Sequence, residues 1–396
     1  MRILIVSEVY RPGHGGLQTS IDTLTKGLYA QGDEVVVLTG SPKGLVRPYW
    51  DEEAHCRVYR LPALPFPANP KNNRFTVLPR IFVRRFWKAQ SKFDVIHMMT
   101  PADWLHLSVE KLAKKDRVPI IVTNHTLTIN LTMNSTSPFV YKFAKWAEKR
   151  TIAFANRMDA MIAPTQSALD ETPGITVPSL PISNGLDTNF FSPTTDRLAT
   201  HETLSLDPRY RYIVFTGRLD SEKRVDLLIK AFGTISQDVS DIRLLIVGKG
   251  LLDEELRALT HELKLDEKII FMGYVDEITK RDVLRIATLF VMPSPAELQC
   301  IAALEALACR CPIVVSDRVA LPELTDGEKN GLIFSYPDET DLVEKMRMLL
   351  DNEGVRLKMA THAYKWVNAH HTIEKTITAY RAIYERVRGR ESPPIL

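Results

Sequence analysis

Two carboxylates stand out in the segment PSPAELQCIAALEALACRCPIVVSD, which is otherwise mainly apolar. Glu297 and Glu305 lie eight residues apart, between the strand-like runs LFVMPS and PIVVS. A buried carboxylate is costly unless something compensates its charge. On a helix beginning near Glu297, Glu305 would lie about 12 Å further along the axis and roughly 80° around it. One elongated, hydroxyl-bearing ligand could contact both acids. The alternative is an acid that favours the helix dipole plus a salt-bridged second acid.

The turn that precedes this predicted helix adds backbone groups to the same candidate site. Pro293 and Pro295 end the strand, so we expect Glu297 near the first turn of the helix. The N–H groups of the next four residues would then point toward the ligand. These residues are Leu298, Gln299, Cys300 and Ile301.

A pair of cations lies in YIVFTGRLDSEKRVDLLIKAF. Gly217 ends a predicted strand, and Arg218 and Lys223 stand around the start of the next helix. Two cations beside a helix N-terminus would stabilise a diphosphate, above all one that leaves and gains charge. The alternative is solvated surface charge.

Glycines follow the first predicted strand in EVYRPGHGGLQTS, where Gly13, Gly15 and Gly16 precede a helix. Glycine lets backbone N–H groups approach a phosphate closely, and a helix N-terminus favours its charge. The spacing is not GxGxxG, so the dinucleotide fingerprint is not met. A tight strand-to-helix turn is the alternative interpretation.

The elements that position these residues alternate between short Ile/Val-rich runs and longer amphipathic stretches. Strands without internal alternation indicate parallel sheets that are covered on both faces. The 396 residues are too many for one ordinary core. We therefore predict an α/β protein with two doubly wound Rossmann-like domains, residues 1–185 and 186–372, which face each other across a cleft. A last helix over 373–388 would pack back on the first domain. Ligands of such sheets bind beyond the carboxyl ends of the strands.

Composition is that of a globular protein, with 45% hydrophobic and 25% charged residues, so neither a disordered chain nor a fibre is expected. RILIVSE after Met1 looks like a buried strand and not a signal peptide. The four cysteines form no metal-binding pattern, which favours the reducing cytoplasm. We expect no metal and no cofactor.

Charge is unevenly distributed along the chain. Residues 1–185 hold 23 Lys+Arg against 15 Asp+Glu, a balance of +8, whereas the net charge of the whole chain is +3. The segment VLPRIFVRRFWKAQSKF places five cations between Arg80 and Lys92 among apolar and aromatic residues, and PFVYKFAKWAEKR is similar. Such a helix can lie on an anionic membrane. The alternative is a surface helix whose apolar stripe packs on the sheet. No nucleic-acid motif is present, so we expect no nucleic-acid partner.

The chain resembles the retaining glycosyltransferases of family 4, which have the GT-B fold. The Glu-x7-Glu pair is the most specific of the matching features. The matching stretches follow the family's order over nearly the whole chain; they are GHGGLQTSIDTLTKGLYAQGDEVVVLTG, PISNGLDTNFFSP, FTGRLDSEKRVDLLIKAF, IVGKGLLDEELRALTHELKL, IIFMGYV, MPSPAELQCIAALEALACRCPIVVSD and ALPELTDGEKNGLIF.

The resemblance implies a nucleotide-sugar donor on the second domain and an acceptor on the first. Glu297 would hold the sugar hydroxyls and Glu305 the ribose, while Arg218 and Lys223 would grip the diphosphate. His125, in VTNHT, matches the family histidine near the transferred sugar. The remaining donor contacts implied by the family are Gly15 and Gly16 for the phosphate, and Gly248, Tyr274 and Val275 for the nucleotide.

The implied reaction transfers a hexose from a UDP- or GDP-linked donor with retention of configuration. It is a same-face displacement in which the leaving phosphate takes the acceptor's proton. Two positions depart from the family: Cys300 follows Leu298-Gln299 where Gly-Phe-Gly is common, and Arg310 replaces a common glycine. A glutamine two residues after the first Glu, here Gln299, resembles the sequence of family members that glycosylate diacylglycerol.

We therefore expect a cytoplasmic hexosyltransferase, peripheral on the inner face of the membrane, that acts on a lipid or lipid-linked acceptor. A soluble saccharide or small metabolite is the alternative acceptor. Two other classes stay open from the sequence: a nucleotide-sugar epimerase, and a non-catalytic nucleotide-sugar-binding module.

Overall fold

The computed structural model describes residues 1–12, 15–65, 74–77, 79–100, 103–125 and 138–389. Gly13 of the glycine-rich segment lies outside these residues. The described part of the chain forms two compact units, and the division falls after Gly185 and again after Thr372. The first unit contains the chain up to Gly185 and the residues from Ile373 onward, and the second contains Leu186–Thr372. A short segment that ends at Tyr141 is also assigned to the second unit.

The secondary structure follows the alternation expected from the sequence. Up to Gly185 the strands are β1 (Arg2–Val6), β2 (Glu34–Gly40), β3 (Tyr49–Glu53), β4 (Cys56–Leu61), β5 (Ala63–Pro65), β6 (Arg74–Thr76), β7 (Val95–Met99), β8 (Ile120–Thr123), β9 (Ala160–Ala163) and β10 (Ser179–Pro181). The helices of this part are α1 (Gly16–Ala30), α2 (Pro79–Lys88), α3 (Trp104–Lys115), α4 (Pro138–Ala155) and α5 (Gln166–Asp170).

From Leu186 onward the strands are β11 (Arg211–Thr216), β12 (Ile242–Val247), β13 (Ile269–Gly273), β14 (Ala287–Met292), β15 (Ile313–Ser316) and β16 (Gly331–Phe334). The helices are α6 (Arg197–Thr203), α7 (Val225–Ile235), α8 (Asp253–Glu262), α9 (Glu277–Ile286), α10 (Ile301–Ala308), α11 (Leu321–Leu324), α12 (Glu339–Asp351), α13 (Glu353–His370) and α14 (Ile373–Gly389). A 3₁₀ turn over Ser221–Lys223 precedes α7.

In the first unit, the described strands form an eight-stranded sheet in the order β10-β9-β8-β7-β1-β2-β4-β3. All neighbours are parallel except β3 and β4, which are antiparallel. Successive residues of β1 enter opposite cores: Ile3 and Ile5 face α1 and α14, whereas Leu4 and Val6 face α2, α3 and α4. Burial on both faces explains why β1 is apolar throughout.

The helix α14 returns to the first unit and packs against α1 and the sheet. Buried hydrogen bonds link it to two strands: the Tyr384 hydroxyl lies 2.8 Å from His97 Nδ1, and His97 Nε2 lies 2.6 Å from Thr123 Oγ1. Burial lowers the pKa of His97 to about 3, so its ring is neutral at physiological pH.

In the second unit, the described strands form a six-stranded, all-parallel sheet in the order β13-β12-β11-β14-β15-β16. The order reverses between β11 and β14, which is the topological switch point where doubly wound sheets bind ligands. The predicted fold class, two doubly wound Rossmann-like sheets, is therefore confirmed. The strands β1, β2, β7, β8, β9 and β11 to β16 coincide with Ile/Val-rich runs of the sequence, as predicted, whereas β3, β4, β10 and the β5–β6 pair were missed.

Candidate functional site

The loop after β14 contains Glu297 and is held in place by the hydrogen bonds of two serines. Ser294 Oγ donates to the Glu222 carbonyl at 2.8 Å, and Ser316 Oγ donates to the Ser294 carbonyl at 2.6 Å. These bonds join the end of β14 to the 3₁₀ turn after β11 and to the end of β15. The loop is therefore fixed at the switch point of the sheet.

The expectation that Glu297 lies near the first turn of a helix is wrong. The helix α10 begins at Ile301, and Cys300 before it has φ +64°, in the left-handed region, so the helix cannot continue backward through Cys300. Leu298 and Gln299 belong to the loop, and Gln299 is buried. The distance and the angle predicted for Glu297 and Glu305 on one helix consequently do not apply.

Glu297 has a cation as its partner. The Lys223 ammonium donates to Glu297 Oε1, and both side chains are mostly buried. Burial opposes the charge on Lys223, whereas attraction to the Glu297 carboxylate and the hydrogen bond with it favour that charge, and the pKa of the lysine is raised. Two of the predicted site residues are thus brought into contact from opposite sides of the switch point.

Arg218 follows Gly217 at the end of β11 and is bound to two acids of its own segment. Its guanidinium donates to Asp220 and, at 2.6 Å, to Glu222 Oε1. The Glu222 side chain is buried, whereas that of Arg218 is 47% exposed. The two acids thus hold an accessible guanidinium, whose repulsion opposes the rise in the pKa of Lys223.

Glu305 lies inside α10 and is only 3% exposed. Lys280 Nζ, on α9, donates to Glu305 Oε1 at 2.8 Å and also lies 3.0 Å from Glu277 Oε2. Burial raises the pKa of Glu305 to about 7, although Lys280 opposes this shift. The alternative interpretation from the sequence, in which the second acid is salt-bridged, is therefore correct for Glu305. With this pKa, its carboxyl group gains or loses a proton near neutral pH.

The two departures from the family pattern keep a backbone geometry that glycine favours. Cys300 has φ +64° and Arg310, just after α10, has φ +62°. Non-glycine residues adopt this region at a cost of about 1 kcal/mol. The Cys300 thiol is buried, and burial raises its pKa, so it stays protonated.

The predicted nucleotide contacts lie at the ends of the neighbouring strands β12 and β13. Gly248 packs so closely on the end of β11 that an added Cβ would lie 1.8 Å from the Gly217 carbonyl oxygen. Only glycine fits there. Tyr274, just after β13, is 59% exposed, and the adjacent Val275 packs partly on the core.

In the first unit, the glycine pair begins α1. Gly15 caps the helix and its carbonyl accepts from Thr19 N at 3.0 Å. An added Cβ at Gly16 would meet no heavy atom of the described residues within 4 Å. The first turn of α1 therefore presents open backbone.

His125 follows β8 in the same unit. Its backbone N–H donates to Thr100 Oγ1 at 3.2 Å. The ring atom Nε2 is buried and has no hydrogen-bond partner among the described residues. Burial lowers the pKa of His125 to about 4, so its ring is neutral at physiological pH.

The basic segment over α2 is divided between core and solvent. Val83 and Phe86 are buried in the first unit's core, so the apolar stripe packs on the sheet, as the alternative interpretation held. Ile81 is 49% exposed. The cations exposed around it are Arg80, Arg84, Arg85 and Lys88. None of the helices in the described part of the chain combines the length and apolar character needed to cross a membrane.

Three ion pairs were not predicted from the sequence: Arg218 with Asp220, Arg218 with Glu222, and Lys280 with Glu305. Asp220 and Glu222 stand among the cations of RLDSEKR, and this alternation of charge is a signal that could have indicated local ion pairs. Lys280 carried no such signal, because it meets Glu305 only through the packing of α9 beside α10.

Comparisons with known proteins agree with this architecture. The family model Glycosyltransferase Family 4 matches residues 14–190, and the model Glycosyl transferases group 1 matches residues 196–366. A relative from Acholeplasma laidlawii, alpha-monoglucosyldiacylglycerol synthase, is 27% identical over 355 residues, which are 86% of each chain.

A second relative is the D-inositol 3-phosphate glycosyltransferase of Xylanimonas cellulosilytica. It is 24% identical over 374 residues, which are 88% of this chain and 86% of that protein. Among solved structures, the sucrose-phosphate synthase of Thermosynechococcus elongatus superposes with a TM-score of 0.80 at 20% identity, over 98% of this chain and 100% of that one.

Proposed function

Because the chain belongs to the family 4 glycosyltransferases with the GT-B fold, we propose that it moves a hexose from a UDP- or GDP-linked donor to a lipid or lipid-linked acceptor with retention of configuration. The observation that carries the donor site is the contact between Lys223 and Glu297 at the switch point of the second sheet. One group suits an anionic phosphate, and the other suits sugar hydroxyls.

In the proposed site, contacts with the sugar–diphosphate replace the ion pairs of the free protein. The diphosphate oxygens accept hydrogen bonds from Lys223 and Arg218, and the released Glu297 carboxylate accepts from sugar hydroxyls. Each charge then keeps a partner, which matters because both ends of the pair are mostly buried. Glu305 accepts from the ribose hydroxyls in the same way.

The proposed reaction breaks the bond between the anomeric carbon and the phosphate oxygen while the acceptor oxygen attacks on the same face. The acceptor's proton passes to the leaving phosphate oxygen. Negative charge grows on the diphosphate in the transition state, where the accessible guanidinium of Arg218 and the ammonium of Lys223 stabilise it. Neither cation acts as an acid or base.

His125 and the start of α1 are the residues of the first unit that we assign to the donor. The Nε2 of His125, which has no hydrogen-bond partner among the described residues, supports a hydrogen bond to a hydroxyl of the transferred sugar. The open backbone at Gly15 and Gly16 supports an interaction with a phosphate oxygen.

A lipid acceptor is favoured by the exposed cations of α2 around Ile81, which suit peripheral binding to an anionic membrane. The four cysteines are free and buried, which supports a reducing compartment. We therefore place the enzyme in the cytoplasm, at the inner face of the membrane. The synthase from Acholeplasma laidlawii is named for a lipid product, in line with this acceptor class.

A soluble acceptor is the second candidate, favoured by the similarity to the D-inositol 3-phosphate glycosyltransferase. The experiment that separates the two incubates the protein with labelled UDP- and GDP-sugars plus either a lipid extract or a mixture of soluble saccharides and polyol phosphates. We expect a labelled lipid that the Glu297→Ala variant does not form. A labelled soluble product alone would favour the second candidate, and binding without any transfer would contradict both.

A further inference from the structure

A cavity of about 750 Å³ opens in the first unit, at the amino-terminal edge of its sheet. Its walls include the residues that lead into β7, β8, β9 and β10, and the end of α14. The first-unit residues assigned to the donor follow the carboxyl ends of strands, so the cavity lies at the opposite edge of the same sheet. It is therefore separate from the proposed donor contacts of this unit.

Cations dominate the wall of the cavity. Two carboxylates line it, and both are already engaged: Asp94 Oδ2 accepts from Arg2 N and Asp159 Oδ2 from Ile120 N, each at 2.7 Å. The cations that line the cavity are Lys92, Lys114, Arg117, Arg157 and Arg388.

Three of these cations are partly neutralised. Arg157 and Lys114 share Glu110, at 2.8 Å each, and Arg388 lies 3.8 Å from Asp94. Within the described part of the chain, Lys92 and Arg117 form no salt bridge. An anion that enters the cavity would therefore meet two side chains free to turn toward it.

Helix dipoles account for only part of this arrangement. The helices α3 and α14 end near the cavity, and cations are favoured at helix C-termini, which explains Lys114 and Arg388. Lys92 belongs to no helix, because α2 ends at Lys88. Its position beside the other cations has no such explanation.

Apolar side chains also line the cavity, and its volume lies in the range of pockets that bind small organic molecules. These apolar residues are nearly buried; they include Phe93, Val118, Ile120 and Val387. Cationic and apolar side chains along one cavity fit an anionic group that is joined to carbon.

We propose that this cavity is a second anion site, which binds a phosphate ester through Lys92 and Arg117. A free phosphorylated metabolite and the headgroup of an anionic phospholipid present the same chemistry. Binding there is distinct from the proposed sugar transfer, since it uses none of the residues assigned to the donor.

The test uses the full chain and sn-glycerol 3-phosphate as the probe in calorimetry. A Lys92→Gln/Arg117→Gly variant removes both free cations, and glycine suits Arg117 because its φ is +56°. A Lys111→Gln/Lys149→Gln variant is the control, since both lysines are exposed and neither lines the cavity. We expect the first variant to bind at least about tenfold more weakly, the factor that one lost charge-assisted hydrogen bond produces. The control should bind as the unaltered protein does.

Sedimentation with phosphatidylglycerol vesicles then identifies the source of the phosphate. If the Lys92→Gln/Arg117→Gly variant no longer binds vesicles, and glycerol 3-phosphate displaces the unaltered protein from them, the cavity binds a lipid headgroup. Unchanged vesicle binding with lost glycerol 3-phosphate binding assigns it to a free phosphate ester. Equal affinity of the cavity variant and the control for the probe, or no binding of the probe to the unaltered protein, would overturn the proposal. An Arg218→Ala variant, deficient in transfer, should still bind the probe, which separates this test from that of the proposed function.

Discussion

Lys223 and Glu297 form an ion pair across the switch point of the second sheet, 74 residues apart in the chain. The other candidate charges of this unit are also paired: Arg218 with Asp220 and Glu222, and Glu305 with Lys280. Buried charges need such partners. The free protein therefore holds the proposed donor-binding groups in ion pairs, and a bound sugar–diphosphate would replace one set of partners with another.

Arg218→Ala should lower kcat by about 10²-fold, because the proposed role of the guanidinium is to stabilise the charge that grows on the leaving diphosphate. The effect on KM should be small. Initial rates with labelled donor measure both constants. Arg209→Ala is the matched control, since Arg209 also pairs with an acid two residues away but is highly exposed. An Arg218→Ala variant with the kcat of the control would remove Arg218 from the mechanism.

Donor affinity should rise with pH around neutrality. The pKa of Glu305 is raised to about 7 by burial, and in the proposed site the ribose hydroxyls donate to the ionised form. Below this pKa the site must lose a proton before it binds, so affinity should increase about tenfold between about pH 6 and pH 8. Calorimetry with the nucleoside diphosphate measures this change. Glu305→Gln should bind weakly and without the pH dependence, and a wild-type affinity that is flat over this range would refute the assignment.

Tyr384→Phe should destabilise the first unit by about 1–3 kcal/mol, because His97 Nδ1 would be left buried without a partner. Urea unfolding measures the change. Tyr29→Phe serves as the control, since Tyr29 is 55% exposed and should change stability by less than about 0.5 kcal/mol. Equal stability of the two variants would show that α14 is not anchored through this hydrogen bond.

Arg310→Gly should be more stable than Arg310→Ala by about 1 kcal/mol, because only glycine adopts the left-handed backbone without strain. Both variants lose the same contact of the guanidinium with the Tyr364 ring, so their difference isolates the backbone. Thermal unfolding of the pair is the measurement. Equal stability would mean that the backbone at Arg310 rearranges.

The parallel sheets could be predicted because their central strands are buried on both faces and read as unbroken apolar runs. The strand β3, YWDEE, lies at the edge of its sheet and has no such run, so it was missed. The start of α10 was misplaced because a cysteine, and not a glycine, takes the left-handed position before it. The pairing of Lys280 with Glu305 depends on tertiary packing, which no local spacing reveals.

The most direct test of the central claim compares the binding of a nucleotide-sugar with that of the matching nucleoside diphosphate. Glu297 is assigned to the sugar alone, so Glu297→Ala should abolish turnover and the extra affinity that the sugar provides. Its affinity for the nucleoside diphosphate should be at least that of the unaltered protein, because Lys223 no longer has to leave its ion pair with Glu297. If the variant instead binds and turns over the nucleotide-sugar as the unaltered protein does, the proposed donor site is wrong.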